Sequence, residues 1–151
     1  MPQQSKQRIA VNVLDDAPAP LGAYSHAVWA GDLLFVSGQG ARDSKTGKEA
    51  GVTLDEQGAV VSYDIEVQTR AVLENLKVVL KAAGCTLEDL ADVGVFLKDM
   101  KDFQRYNRVY AEYFSFRNPP ARTTVQAADL PGNNFIEIKA IAFKSQSEKQ
   151  E

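Results

Sequence analysis

The sequence predicts an α+β fold: about six strands and two helices, with both helices on one face of a mixed sheet. Two features predict it. Apolar residues alternate in short runs but recur every three or four residues in two longer ones. The runs follow the order strand, hairpin, helix, strand, helix, strand, strand.

Ile9, Val11 and Val13 alternate as a first strand. Pro18, Pro20 and Gly22 then punctuate a loop leading to Tyr24. His26 to Trp29 and Leu33 to Ser37 flank the turn pair Gly31-Asp32 and read as a β-hairpin. Residues 38–58 hold five glycines and many charges, and read as a long loop of the kind that often carries function. From Asp64 to Ala83 the apolar residues Ile65, Thr69, Val72, Leu76, Val79, Leu80 and Ala83 mark one face of a helix. Ser62 or Asp64 caps its start, and Gly84 stands where a left-handed C-terminal cap belongs. Thr86-Leu87-Glu88-Asp89 reads as a short capped turn.

Val93 to Leu97 reads as an interior strand, apolar on both faces. A second helix runs from about Asp102 to Phe114, capped by Asp99 or Asp102 and stopped by Pro119-Pro120. Phe103, Tyr106, Val109, Tyr110, Tyr113 and Phe114 form its apolar side. Two strands close the chain, Arg122 to Ala128 and Phe135 to Phe143, joined around Pro131-Gly132. Two helices cover one sheet face only. The other is also substantially apolar, so neighbouring subunits are expected to cover it.

With 151 residues the chain fits a single domain over 1–151, with polar tails at 1–7 and 144–151 expected to fray. A net charge of -3 argues against general nucleic-acid binding. The lone Cys85 excludes an intrachain disulfide and reads as a small packed residue. No apolar run approaches a membrane span or a signal peptide, so the expectation is a soluble cytoplasmic protein with neither membrane nor nucleic-acid partners.

Several signatures fail. Gly38-Gln39-Gly40 begins like a dinucleotide fingerprint, but Asp43 takes the third glycine's place. Asp43 to Gly47 fails as a calcium loop because Lys45 fills a ligand position. One histidine and one cysteine make no conventional zinc site, so no metal is expected. No serine sits in a nucleophile elbow.

The last two strands are more informative. Alternation puts Arg122, Thr124 and Gln126 on one face of their strand. The apolar row Ile136, Ile138, Ala140 and Ala142 throws Glu137 and Lys139 to the other side of the next strand. Two adjacent strands are thus expected to present an arginine, a hydroxyl and a carboxylate together. A polar outward face with an Arg122–Glu137 salt bridge accounts for the same pattern.

GAYSHAV (22–28), LLFVSGQ (33–39), QTRAVLENLKVVLKAAG (68–84), VFLKDMKDFQRYNRVYAEYF (95–114), PARTTV (120–125) and IEIKAIA (136–142) together resemble the RidA/YjgF family of reactive enamine/imine deaminases. GVTLDEQGAVVSYDI (51–65) and the RTTV form of the arginine strand look like its 2-aminomuconate deaminase branch. The resemblance implies a chorismate-mutase-like fold and a homotrimer, or trimers paired into a hexamer, with active sites in clefts between subunits. It implies cofactor-free hydrolysis of carboxylate-bearing enamines or imines, releasing ammonia and, for 2-aminomuconate, a 2-oxo/2-hydroxy dicarboxylate of aromatic-compound catabolism.

By the same resemblance Arg122 anchors the substrate carboxylate and Glu137 orients water and passes protons. Tyr24, Ser37, the Gly38 backbone, Asn107 and Thr124 frame the substrate. Thr124 stands where many members have a cysteine, Ala23 replaces a usual proline, and His26 a common glutamine. Arg122 suits the anchoring role because a guanidinium holds a carboxylate through two parallel bonds. A dicarboxylate needs a second cation, for which Arg42 is the first candidate and His26 and Lys45 weaker ones. The alternatives are a broad 2-aminoacrylate-type imine deaminase, a ligand-sensing module, or the RNA-cleaving translation inhibitor attributed to some relatives.

Overall fold

The computed structural model describes residues 8–145, so the tail expected at 1–7 and all but the first two residues of the one expected at 144–151 lie outside it. Lys144, assigned to the C-terminal tail from sequence, is tied down instead. Its backbone N–H donates to the Asp32 carbonyl at 3.0 Å and its Nζ to the Gly84 carbonyl at 2.7 Å.

Six strands form the main sheet: β1 (Arg8–Val11), β2 (Ala27–Ala30), β3 (Leu33–Gln39), β6 (Leu90–Leu97), β7 (Ala121–Gln126) and β8 (Ile136–Phe143). Their order is β1-β2-β3-β8-β6-β7, with β6 and β7 parallel and the other pairs antiparallel. This is the expected mixed sheet. Residues 38–58 are not one loop, however. A separate hairpin pairs β4 (Val52–Leu54) with β5 (Val60–Tyr63). Asp55 Oδ1 closes its turn by accepting the Gln57 and Ala59 N–H groups, each at 2.9 Å, and Gly58 takes φ +82°.

Helix α1 (Ile65–Ala82) starts at Asp64, whose carboxylate accepts from the N–H groups of Glu66 and Val67. It ends in a left-handed Gly84 at φ +78°, with Cys85 N–H returning to the Leu80 carbonyl at 2.8 Å. Its apolar stripe, with Val72, Leu73, Leu76 and Leu80 fully buried, packs on Ile136, Ile138, Ala140 and Ala142 of β8. Each such side chain contributes roughly 1.5–3 kcal/mol of burial. Helix α2 (Phe103–Tyr113) packs beside α1. Asp99 caps the short 3-10 turn before it, while Asp102 makes no capping bond and accepts instead from Tyr63 Oη at 2.6 Å. Cys85 is buried in the core as expected. No helix among the described residues is long and apolar enough to cross a membrane.

The structure corrects the reading of the last two strands. β7 lies beside β6, not beside β8. A helix between two strands returns the chain to the same end of the sheet, so β6, α2 and β7 close as a parallel unit and β8 takes the other edge of β6. Across β6, Arg122 aligns with Val93 and Ala140, and Thr124 with Val95 and Ile138, all on the helix-covered face. Glu137 aligns with Phe96 and Val125 on the opposite face. Within one chain, Arg122 and Glu137 are therefore separated by a strand and by the thickness of the sheet.

That opposite face carries Leu33, Phe35, Val125 and Phe143, which are 39–52% exposed, and no helix of the described residues lies over them. Four large apolar side chains left this exposed on one sheet face are the mark of an interaction surface.

Candidate active site

The residues named from sequence divide between two clefts: Tyr24, Gly38, Arg42 and Glu137 line the first, Asn107 and Arg122 the second, and Ser37 and Thr124 line neither. The first is built around a β-bulge. Between Val36↔Ala140 and Gln39↔Ile138, Ser37 and Gly38 oppose the single residue Lys139. Ser37 is pinned there: its N–H donates to the His26 carbonyl at 3.0 Å and its Oγ to the Ser25 carbonyl at 2.7 Å. Gly38 lies flat under the Glu137 side chain, since a Cβ at this position would stand 2.7 Å from Glu137 Oε2. Glu137 is half-buried with no ion pair to any described residue, and burial pushes its carboxyl above the ordinary glutamate value.

Tyr24, Arg42 and the strap Pro18–Leu21 complete this cleft. Tyr24 is half-exposed, and its Oη accepts the Leu21 N–H at 3.0 Å. His26 holds the strap from behind. Its Nδ1 accepts from Val13 N–H at 3.1 Å, and its Nε2 donates to the Pro18 carbonyl at 2.8 Å. This pairing requires the neutral tautomer with the proton on Nε2 and leaves neither ring nitrogen for a substrate. Lys45 lies on the exposed Asp43 turn, outside the cleft.

The second cleft lies between α2 and the segment leading into β7, lined by Asn107, Tyr110, Phe114, Phe116, Pro120 and Arg122. Arg122 Nη1 donates to Asn107 Oδ1 at 2.7 Å. The guanidinium lies 4.6 Å from the Tyr110 ring centroid, 5.6 Å from Tyr106 and 5.9 Å from Phe103. These rings hold the cation by their electron-rich faces without using its N–H donors. Arg122 makes no ion pair with any described carboxylate, so the outward side of its fork is free for an anionic ligand. Thr124 Oγ1 hydrogen-bonds Tyr106 Oη, which locks the ring beneath the arginine.

Sequence reasoning missed this aromatic cradle. From sequence Phe103, Tyr106 and Tyr110 read only as the apolar side of the helix; their spacing on the face that meets Arg122 is the available signal. It also missed Asn134, whose Oδ1 accepts the Ala41 N–H at 2.7 Å and whose side chain crowds Gly40. Gln68, fully buried, grips the same loop through the Asn133 carbonyl and the Phe135 N–H. No group of three or more His, Cys, Asp or Glu among the described residues is placed to hold a metal ion.

A family model described as Endoribonuclease L-PSP matches residues 14–144. The chain belongs to the RidA/YjgF family. Its RidA/YjgF relatives include a RutC family protein of Pyrococcus horikoshii, 48% identical over 130 residues that cover 86% of this chain and 94% of the relative. A 2-iminobutanoate/2-iminopropanoate deaminase of Salmonella typhimurium is 37% identical, covering 86% of this chain and 94% of that protein. Among solved structures, a putative endoribonuclease of Thermotoga maritima superposes with a TM-score of 0.78 at 44% identity, covering 91% of this chain and 98% of its own. The RidA of an Antarctic Psychrobacter species gives 0.76 at 33%, covering 90% and 100%. The RidA/YjgF family thus includes named imine deaminases as well as proteins described as endoribonucleases or by family alone.

Proposed function

We propose that this protein is a hydrolytic deaminase of carboxylate-bearing imines and enamines, acting at a site shared between two copies of the chain. The observation that carries this reading is the division of the site. Among the described residues, one cleft has an arginine without an ion-pair partner and no carboxylate or imidazole in its lining; the other has a half-buried glutamate without an ion-pair partner and lacks that arginine. In this reading Glu137 of one protomer stands against the Arg122 cleft of its neighbour in a homo-oligomer whose contacts also cover the bare sheet face. A cyclic trimer meets this need with identical interfaces and no unpaired edge.

The chemistry follows from these groups. Protonation at carbon turns an enamine into an imine, whose protonated C=N carbon is strongly electrophilic. Arg122 holds the adjacent carboxylate through two parallel bonds and fixes the reacting carbon. Glu137 takes a proton from water as its oxygen bonds to that carbon, giving a carbinolamine. It then returns the proton to nitrogen; as the C–N bond breaks, Glu137 takes the hydroxyl proton and passes it to the departing ammonia, so ammonium and a 2-oxo acid leave. Tyr24 and the Gly38 backbone frame the Glu137 side and Asn107 the Arg122 side, while Ser37 and Thr124 hold the walls through their bonds to the Ser25 carbonyl and Tyr106.

The Salmonella relative's name supports the reaction class. Within that class we favour 2-aminomuconate, on residues 51–65 and the Arg122-Thr123-Thr124-Val125 strand, over a broad 2-aminoacrylate-type activity. The net charge of -3 weighs against RNA cleavage despite the family description. The test is ammonia and oxo-acid release when pure protein meets 2-aminomuconate or enzymatically generated 2-aminoacrylate. Release above the spontaneous hydrolysis rate supports the reading, and no acceleration with either substrate contradicts it.

A further inference from the structure

The cleft that holds Glu137 also holds a guanidinium of its own. Arg42 follows β3 on backbone that is fixed on several sides. Its carbonyl accepts from Asn75 Nδ2 at 2.9 Å, it bridges to Glu49 across a short antiparallel contact, and the preceding Ala41 N–H is bound by Asn134. From there the half-buried side chain reaches the strap, and its Nη2 donates to the Ala19 carbonyl. This is its one side-chain bond among the described residues. It forms no ion pair with Glu137 or any other described carboxylate, although Glu137 lines the same cleft. A guanidinium has five N–H donors, so most of this fork remains open.

We propose that Arg42 is a second anion subsite, and that the preferred substrates are imines or enamines carrying two carboxylates. This rests on the deaminase reading above and adds a selectivity that Arg122 alone cannot supply. With one carboxylate on Arg122 of the neighbouring copy and the reacting carbon at Glu137, the far end of the substrate lies on the Arg42 side of the shared cleft. A second carboxylate enclosed there without a partner is costly; against Arg42 it gains charge-assisted hydrogen bonds. Neither His26 nor Lys45 fits this role. His26 has both ring nitrogens committed to backbone, and Lys45 lies outside the cleft. A monocarboxylate simply leaves Arg42 on the Ala19 carbonyl, so the subsite creates a preference and not an exclusion.

The test compares kcat/KM for a dicarboxylate, 2-aminomuconate or 2-iminoglutarate, with that for 2-iminobutanoate, in wild type, Arg42→Lys and Arg42→Gln. Glutamine keeps an N–H for the strap but no charge; lysine keeps the charge. The dicarboxylate-to-monocarboxylate ratio is expected to fall about tenfold or more in Arg42→Gln and distinctly less in Arg42→Lys. An unchanged ratio in Arg42→Gln, or equal loss on both substrates with a lowered Tm, would mean that Arg42 only ties the strap, and would leave the deaminase reading standing. Should the wild type deaminate nothing, that reading fails, and calorimetric binding of 2-oxoglutarate against 2-oxobutanoate decides the subsite alone. A wild-type preference for 2-oxoglutarate that Arg42→Gln abolishes supports it; no such preference overturns it.

Discussion

Replacing Arg122 by lysine keeps the positive charge and removes the fork. In the wild type one side of the guanidinium is spent on Asn107 Oδ1 at 2.7 Å, and the rings of Tyr110, Tyr106 and Phe103 hold its face. The free side can therefore meet a carboxylate with two parallel bonds. A lysine ammonium keeps the attraction to the rings, worth about 0.5–1 kcal/mol, but is a point charge that cannot serve both Asn107 and a carboxylate in fixed geometry. The loss is one charge-assisted hydrogen bond, about 1.5–3 kcal/mol, which lowers kcat/KM on the order of tenfold to a hundredfold or more. The assay is ammonia release from 2-iminobutanoate generated in place, with circular dichroism and gel filtration confirming that the variant folds and assembles. A folded Arg122→Lys enzyme within about threefold of wild type would refute bidentate anchoring.

Other expectations follow from the same geometry. Gly38→Ala puts a Cβ 2.7 Å from Glu137 Oε2, so the carboxylate must swing away, and kcat should drop about tenfold or more with little change in Tm. Because burial raises the Glu137 carboxyl, the acid limb of the kcat/KM–pH profile should lie above the ordinary glutamate value, and Glu137→Gln should abolish most activity. The stability effect has the opposite sign. A carboxyl raised in the fold binds its proton more tightly than in the unfolded chain, so its cost is largest above the raised pKa and disappears as pH falls below the unfolded value. Glu137→Gln should accordingly raise Tm at neutral pH but not in acid, as scanning calorimetry at the two pH values would show. Leu76→Ala, at a fully buried position under β8, should cost about 2–5 kcal/mol in denaturant unfolding.

Local patterns carried most of the fold. The period-two runs, the Asp64 cap and the Gly84 stop each depend on near neighbours in the chain, and each appears where expected. The β4–β5 hairpin escaped notice because its strands are short and surrounded by turn residues, so its alternation was too brief to separate from loop. The larger failure was long-range. Alternation says which residues of one strand share a face, but not which strands are neighbours. Arg122 and Glu137 could be placed on a common face only by assuming that β7 pairs with β8. The intervening β6 and the α2 crossover overturn that assumption, and the resulting division into two clefts is what the pattern could not reveal. The arginine cradle was hidden for a related reason: aromatic spacing on α2 looks the same whether it packs a core or seats a cation.

The most direct test of a site shared between copies is complementation between two inactive variants. Arg122→Ala and Glu137→Gln each remove one half of every site and should be nearly inactive alone. If each site takes Arg122 from one chain and Glu137 from its neighbour, unfolding and refolding an equal mixture gives cyclic oligomers in which about one quarter of the sites carry both wild-type residues. Activity should then recover to about one quarter of the wild-type value per site, whatever the number of subunits in the ring. Recovery to that level is the predicted result. A co-refolded mixture that forms mixed oligomers and stays as inactive as its parents would contradict the shared site.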